Sequence, residues 1–430
     1  MVLTSTNKAT SPSIVLPHYG CSAVSFFVLT VMMLISADSF IGHYFNPRLL
    51  AITHTAILAW GGMIIFGALY QFLPVILVSE LYSPLLAKIT FAIFLTGISV
   101  FIYSFWTFST GIPIQTGASL LLIATSLFTF NIIATSLKAK EATLEADFIV
   151  TASIWFWLTA FIGTLMAFNF TYLFLPKEHL YYLKIHAHIG IVGWFLLLII
   201  GVSSRLIPMF LLSPSVSNQR LKFSYYIINI SLLAFFIDGF LFNGVSRGLI
   251  YFILILIGIG VYISFLVLVY RKRAKRILDF GMKQSMISFT LIGIPIVFGL
   301  FVNSNVISNS NLLLQLSIAF GVSIFIGFMS LLILGQTFKT LPFIVWLKLS
   351  KKSKELNSIP LPKDLYSEVL VKWQFIFFSA GLILLLMGVC LSQVALIRTA
   401  CTLLTITAVL YNVNVFKLLF YTKRSNHANP

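Results

Sequence analysis

Charge is what this sequence has least of. Asp and Glu number 11 in 430 residues and Lys and Arg 28, so that only 9% of the chain is charged while 59% is hydrophobic. A surface that water can wet cannot be assembled from so few charges, which excludes a water-soluble globular protein and makes lipid the solvent for most of the chain. Cysteine is almost as scarce. Cys21, Cys390 and Cys401 are scattered through or beside apolar stretches without C-x-x-C spacing, so they give no basis for a thiolate metal site and read as packing residues. Carboxylates well inside apolar stretches are limited to Asp38 and Asp238, and no row of them runs inward, so proton pumping finds no support. A phosphate-binding loop and a nucleophile-base arrangement are lacking too. The polar start from Met1 to Pro17 has no short apolar core with a cleavage site, so the first hydrophobic span is expected to be retained, with no soluble domain before or after.

What is present is hydrophobic length. Mean hydropathy is +1.02, and stretches able to span hydrocarbon recur near 20–41, 49–78, 84–106, 113–137, 148–174, 183–211, 222–243, 248–270, 284–302, 312–345, 373–392 and 396–420. The expected fold is all-α, a single transmembrane domain over residues 1–430 of about twelve helices. The formal net charge of +17 invites a nucleic-acid reading, but its placement argues for a bilayer. Five cations, Arg48, Lys177, Lys184, Arg247 and Arg398, fall on one side of the twelve spans. The remaining 23 of 28 fall on the side of the N-terminus, including Arg271, Lys272, Arg273, Lys275, Arg276 and Lys283 in one loop. That asymmetry places both termini in the cytoplasm, with the basic loops against anionic headgroups and no nucleic-acid partner.

Three stretches align without gaps at one constant spacing: His54–Val75, His188–Met209 and Val322–Phe343. Gly67, Gly201 and Gly335 coincide, as do Pro74, Pro208 and Pro342, the aromatic residues Trp60, Trp194 and Phe328, and the polar residues Gln71, Arg205 and Lys339. With four spans per period the repeated helix is the second, sixth and tenth (near 49–78, 183–211 and 312–345), each running inward. Small residues on all three allow close backbone approach, as expected of inner helices in three four-helix units related by an approximate threefold. The Leu-Pro or Ile-Pro step should end each near the cytoplasmic face.

Of seven histidines, His18 and His427 lie in terminal segments and His43 and His179 in outer loops, all expected to be solvated or interfacial. His54, His186 and His188 lie in the outer third of inner helices, where an unpaired imidazole is costly. His54 and His188 share one repeat position. Parallel helices presenting imidazoles at one depth can ligate a planar metal porphyrin from both faces. His186 is about 200° around the helix from His188 and must face another neighbour, with an interhelical hydrogen bond as its default and a second ligand role as the alternative.

These features resemble the catalytic subunit of heme-copper oxidases and their nitric oxide reductase relatives. The second helix, with His54, Trp60 and the ending Tyr70-Gln71-Phe72-Leu73-Pro74, is similar to the family helix whose histidine ligates the low-spin heme. His186-Ala187-His188-Ile189-Gly190 looks like the family's His-x-His segment. The resemblance implies heme b held by His54 and His188, with His186 as a further metal ligand and Arg398 where the family places arginines on heme propionates; Arg48 and Lys184 would do the same electrostatic work. It implies an oxidoreductase of respiratory electron transfer or of nitric oxide or oxygen chemistry, served by a redox partner protein or a quinone; the compact form without a targeting sequence suggests a bacterial inner membrane. The sequence also departs from the family. His-x-His sits on the sixth helix instead of the tenth, which carries Phe320 and Val322, and the seventh, Phe223 to Phe242, has no histidine, so a three-imidazole copper site is not expected. A looser similarity is to multi-helix heme proteins of the nitric oxide response, which also show His-Ala-His. A cofactor-free transporter or assembly factor retaining the fold is the alternative of another class.

Overall fold

Prolines and short polar side chains set where the helices begin. In the computed structural model, which describes residues 10–139, 142–242, 244–304, 306–350 and 360–421, α1 (Pro12–Ile35), α2 (Pro47–Leu77) and α3 (Pro84–Trp106) each start on a proline. There its fixed φ suits the first turn and its missing N–H is not needed. Asn46 accepts the Arg48 N–H ahead of α2, and Ser83 accepts the Leu86 N–H ahead of α3. The next six helices are α4 (Ile112–Leu137), α5 (Leu144–Tyr172), α6 (His179–Leu211), α7 (Gln219–Leu241), α8 (Gly248–Arg271) and α9 (Phe280–Asn303). The last three are α10 (Ser310–Ser350), α11 (Glu368–Cys390) and α12 (Val394–Leu419). Thr143, Asp279 and Ser367 cap α5, α9 and α11 through side-chain oxygens on backbone N–H groups. All twelve are long and apolar enough to cross a membrane, and every regular element among the described residues is helical. The chain is an all-α integral membrane protein. Lys8, Lys140, Lys351, Lys352, Lys354, Lys423, Arg424 and His427 lie outside the described residues.

Two expected boundaries move. The first helix spans Pro12–Ile35 instead of 20–41, because Pro17 interrupts only one helical hydrogen bond while Ser36 to Ser39 tighten into a 3₁₀ turn. The Leu-Pro steps do not end the repeat helices either. α2 runs three residues past Pro74 and α6 three past Pro208, and both stop at a residue in the left-handed region, Val78 (φ 49°) and Leu212 (φ 51°). These two residues hold the same repeat position. In each the next N–H turns back onto the proline carbonyl, Ser79 to Pro74 (3.1 Å) and Ser213 to Pro208 (3.0 Å), a Schellman-type closure that satisfies the orphan carbonyls.

The contacts divide the chain into two compact units, Met1–Thr10 with Leu69–Leu278 and Ile296–Asn309, and Ser11–Ala68 with Asp279–Pro295 and Ser310–Pro430. In the first, α6 lies among α5, α7 and α8. Gly193 lets it approach Trp155, whose ring would be 2.6 Å from an added Cβ, and Ser203 shares a hydrogen bond with Tyr262 of α8. In the second, α12 lies against α1 and α11, and α10 meets α9, α11 and the first part of α2.

The repeat expected from sequence recurs as contacts. The aromatic residue of each repeat helix meets a phenylalanine of the first helix of its own repeat: Trp60 with Phe26 (4.5 Å), Trp194 with Phe156 (4.4 Å), Phe328 with Phe289 (5.9 Å). The repeated glycines are points of closest approach between the same helices. A Cβ on Gly67 would stand 2.6 Å from His18 Cβ, one on Gly201 2.5 Å from Phe148 Cβ, and one on Gly335 2.7 Å from the Gly281 carbonyl oxygen. A second device occurs in the first and third repeats. Asn131 of α4 clamps the backbone N–H and C=O of Ser83, and Asn414 of α12 clamps those of Ser367 in the same way. The repeat helices α2, α10 and α6 are also the most buried spans, at 78%, 72% and 61%, against 50% or less for the other nine, as inner helices should be.

Candidate functional site

Each repeat helix contains a widened turn at the same register. The i→i+5 π-helical segments are Thr55–Gly62, Ile189–Leu196 and Ser323–Met329, and their first residues fall on one column of the repeat alignment. Segments of this kind cost regular hydrogen bonding and are frequent at functional positions. His54 and His188 each occupy the last α-helical residue before the π segment, and Val322 stands there in the third repeat.

The two imidazoles are anchored alike. His54 Nδ1 is 2.7 Å from the Leu50 carbonyl oxygen, and His188 Nδ1 is 2.7 Å from that of Lys184. Facing a carbonyl, Nδ1 must be the protonated nitrogen, so the lone pair resides on Nε2. This is the tautomer and the anchoring by which a protein presents a histidine to a metal. In its own unit, His188 also packs beside Phe235 of α7, ring centroids 5.3 Å apart, and Phe235 lies against Tyr251 (5.8 Å). His54 belongs to the other unit, where the adjacent Thr55 hydroxyl bonds the Ala51 carbonyl (2.8 Å). Both rings are half-buried.

His186 points elsewhere. Its Nδ1 donates to the Thr159 carbonyl of α5 (3.1 Å), and Gly163, one turn further along that helix, makes room for the ring: an added Cβ would be 2.9 Å from His186 Cε1. Thr159 and Gly163 were not among the residues singled out from sequence; their spacing of four on one helix face is the signal that would have found them.

The remaining histidines divide. His43 is exposed, stacked on Tyr44 and accepting the Phe45 N–H. His179 opens α6, donating from Nε2 to the Met166 carbonyl (3.1 Å) and stacking on Phe170. His18 corrects the expectation that it is solvated or interfacial. It is 1% exposed inside α1, its Nδ1 donating to Ile14 (2.8 Å), because the helix starts at Pro12 and carries it inward against Gly67. Its place is that of Phe148 in the next repeat, a packing position.

Arg398 lies beside a carboxylate of the protein itself, with Nη2 3.2 Å from Asp38 Oδ1 and both side chains mostly exposed. Arg48 is half-buried in the first turn of α2, its backbone N–H on Asn46, and Lys184 is exposed. Asp238 accepts hydrogen bonds from Arg247 and from Tyr251 (2.8 Å). Among the described residues, no three His, Cys, Asp or Glu side chains gather as a group able to hold a metal ion. No family model matches the chain, and no curated protein matches its sequence.

Proposed function

We propose that the chain is a heme-binding integral membrane protein, of the architecture of heme-copper oxidase subunit I, working in respiratory electron transfer or in nitric oxide or oxygen chemistry. His54 and His188 are the imidazoles offered to heme b, each through Nε2. The observation that carries this reading is their identity of setting: one repeat register, one Nδ1–carbonyl anchor of 2.7 Å, one position at the mouth of a π segment. His54 and His188 would each supply an imidazole nitrogen to the heme, which needs no cluster of protein ligands. When bound, it supplies a one-electron centre. The chain's part is to fix each imidazole: the carbonyls of Leu50 and Lys184 hold the Nδ1 protons, and Phe235 limits rotation of the His188 ring. His186, engaged with Thr159, serves the fold first and is a secondary ligand at most. Arg48, Lys184 and Arg398 are the cations offered to propionates, with Arg398 exchanging one carboxylate, Asp38, for another. Copper is not part of the reading, because beyond His54 and His188 only His18 and His186 lie well inside the spans, and a three-imidazole site needs one more. The membrane would be a bacterial inner membrane, with both termini in the cytoplasm and electrons arriving from a redox protein or a quinone.

The test is the absorption spectrum of protein purified from heme-replete cells. A low-spin b-type spectrum is expected, abolished or converted to high spin in His54→Ala and in His188→Ala and retained in His186→Ala. Halving of the signal in each mutant would indicate two hemes; an unchanged spectrum in both would remove the assignment. A cofactor-free transporter or assembly factor is the second reading, favoured by the π segment at Ser323–Met329, which forms behind Val322 with no histidine. Colourless protein would select it.

A further inference from the structure

Four buried amide atoms in α9, α10 and α11 meet no partner among the described residues: Gln284 Oε1, Gln336 Oε1, and both Oε1 and Nε2 of Gln374. Gln284 is 1% exposed and Gln374 0%. Such groups are rare, because each forfeits its hydration for nothing. Exchanging oxygen and nitrogen in Gln374 removes none of them, since neither atom has a partner. The four belong to one neighbourhood. Gln336 Nε2 donates to Ser285 Oγ (2.8 Å), and Gln284 Nε2 reaches the Val371 carbonyl (3.4 Å) one turn before Gln374. Ser285, 0% exposed, donates in turn to the Gly281 carbonyl. Counted from Phe280 and Glu368, Gln284 and Gln374 lie about 6 and 9 Å inside their helices, at 1.5 Å per residue. One turn nearer the helix ends, Lys339 Nζ and Asp279 Oδ2 form an ion pair of 2.7 Å, the lysine stem passing alongside Gly281.

From this we infer that α9, α10 and α11 enclose a hydrated pocket, with ordered water bound by Gln284, Gln336, Gln374 and Ser285 and the Lys339–Asp279 pair at its mouth. Water is the ligand the donor set fits. The orphan atoms comprise acceptors and an NH₂ donor side by side, and a buried water both donates and accepts, making about three hydrogen bonds. A metal cation would find acceptors but also an amide donor, with the Lys339 ammonium one turn away. An apolar ligand would leave all four atoms unsatisfied. The inference is independent of heme.

It is tested in a chain whose Cys21, Cys390 and Cys401 are replaced by alanine. Ser285→Cys places a thiol in the pocket, and Ser231→Cys places one at an equally buried position of α7 whose hydroxyl donates to its own helix, at Ile227. A small water-soluble methanethiosulfonate, applied to purified protein in nanodiscs, should modify Ser285→Cys at least tenfold faster than Ser231→Cys, and faster again when Lys339→Met opens the mouth. Equal rates at the two positions would overturn the inference. Gln374→Met provides a readout that does not depend on the cysteine variants. It removes two polar atoms at nearly constant volume, so in a dry pocket it raises the melting temperature. In a hydrated one it gives no rise, and a rise would overturn the inference.

Discussion

At the scale of single residues, the two equivalent tryptophans differ in one hydrogen bond. Both are 1% exposed and stacked on a phenylalanine, but Trp60 Nε1 donates to Ser330 Oγ (3.0 Å), whereas Trp194 Nε1 meets no acceptor among the described residues. Ser330 belongs to the third repeat, and the residues on its column in the other two, Gly62 and Leu196, carry no side-chain acceptor. Replacement by phenylalanine removes similar ring volume at both places, so the difference isolates the hydrogen bond. Trp60→Phe should cost about 1 kcal/mol more than Trp194→Phe, the net worth of such a bond, as read by denaturant unfolding in mixed micelles. Equal costs would show that the Ser330 contact contributes nothing. His186 is a residue whose surroundings only the structure supplies, since Thr159 and Gly163 belong to a different helix from its own.

At the scale of elements, the repeat glycines control how closely each inner helix meets its neighbour. Gly335 offers least tolerance, because the obstructing atom is the backbone oxygen of Gly281 and cannot rotate away. Gly67→Ala, Gly201→Ala and Gly335→Ala should each destabilise by about 1–3 kcal/mol through overpacking, with Gly335→Ala the most severe. Gly260→Ala and Gly321→Ala, where an added Cβ meets nothing within 4 Å, should be neutral or stabilising, because alanine is the better helix former. Thermal unfolding of the five variants side by side checks the order; a tolerated Gly335→Ala would mean that α9 and α10 can separate at little cost. The π segments belong to this scale too. Composition carries no mark of i→i+5 bonding, so they could not be read from sequence, yet once seen they fall on the columns that the alignment of His54, His188 and Val322 had defined.

At the scale of the whole molecule, the charge count makes a topological prediction. With 23 of 28 cations on one side of twelve spans, the loop 213–218 after α6 should face the cytoplasm and the loop 174–178 before it the opposite compartment. A cysteine introduced in each, labelled in intact cells with a membrane-impermeant maleimide, should react only at 174–178. Labelling at 213–218 instead would invert the topology and place His54 and His188 at the cytoplasmic end of their helices.

Sequence by itself determined the twelve spans, the threefold repeat and the matched pair His54 and His188, because hydropathy is a sum over neighbouring residues and a repeat is a comparison of the chain with itself. Neither needs to know which helix lies beside which. Only the tertiary structure decided the partners. It put Asp38 from the start of the chain on Arg398 near its end, turned His186 to Thr159, buried His18 against Gly67 and left the Gln374 amide with no partner among the described residues. Those outcomes depend on helix adjacency, which arises from packing summed over segments remote in the chain, and in an apolar sequence many pairings look equally good until side chains interlock.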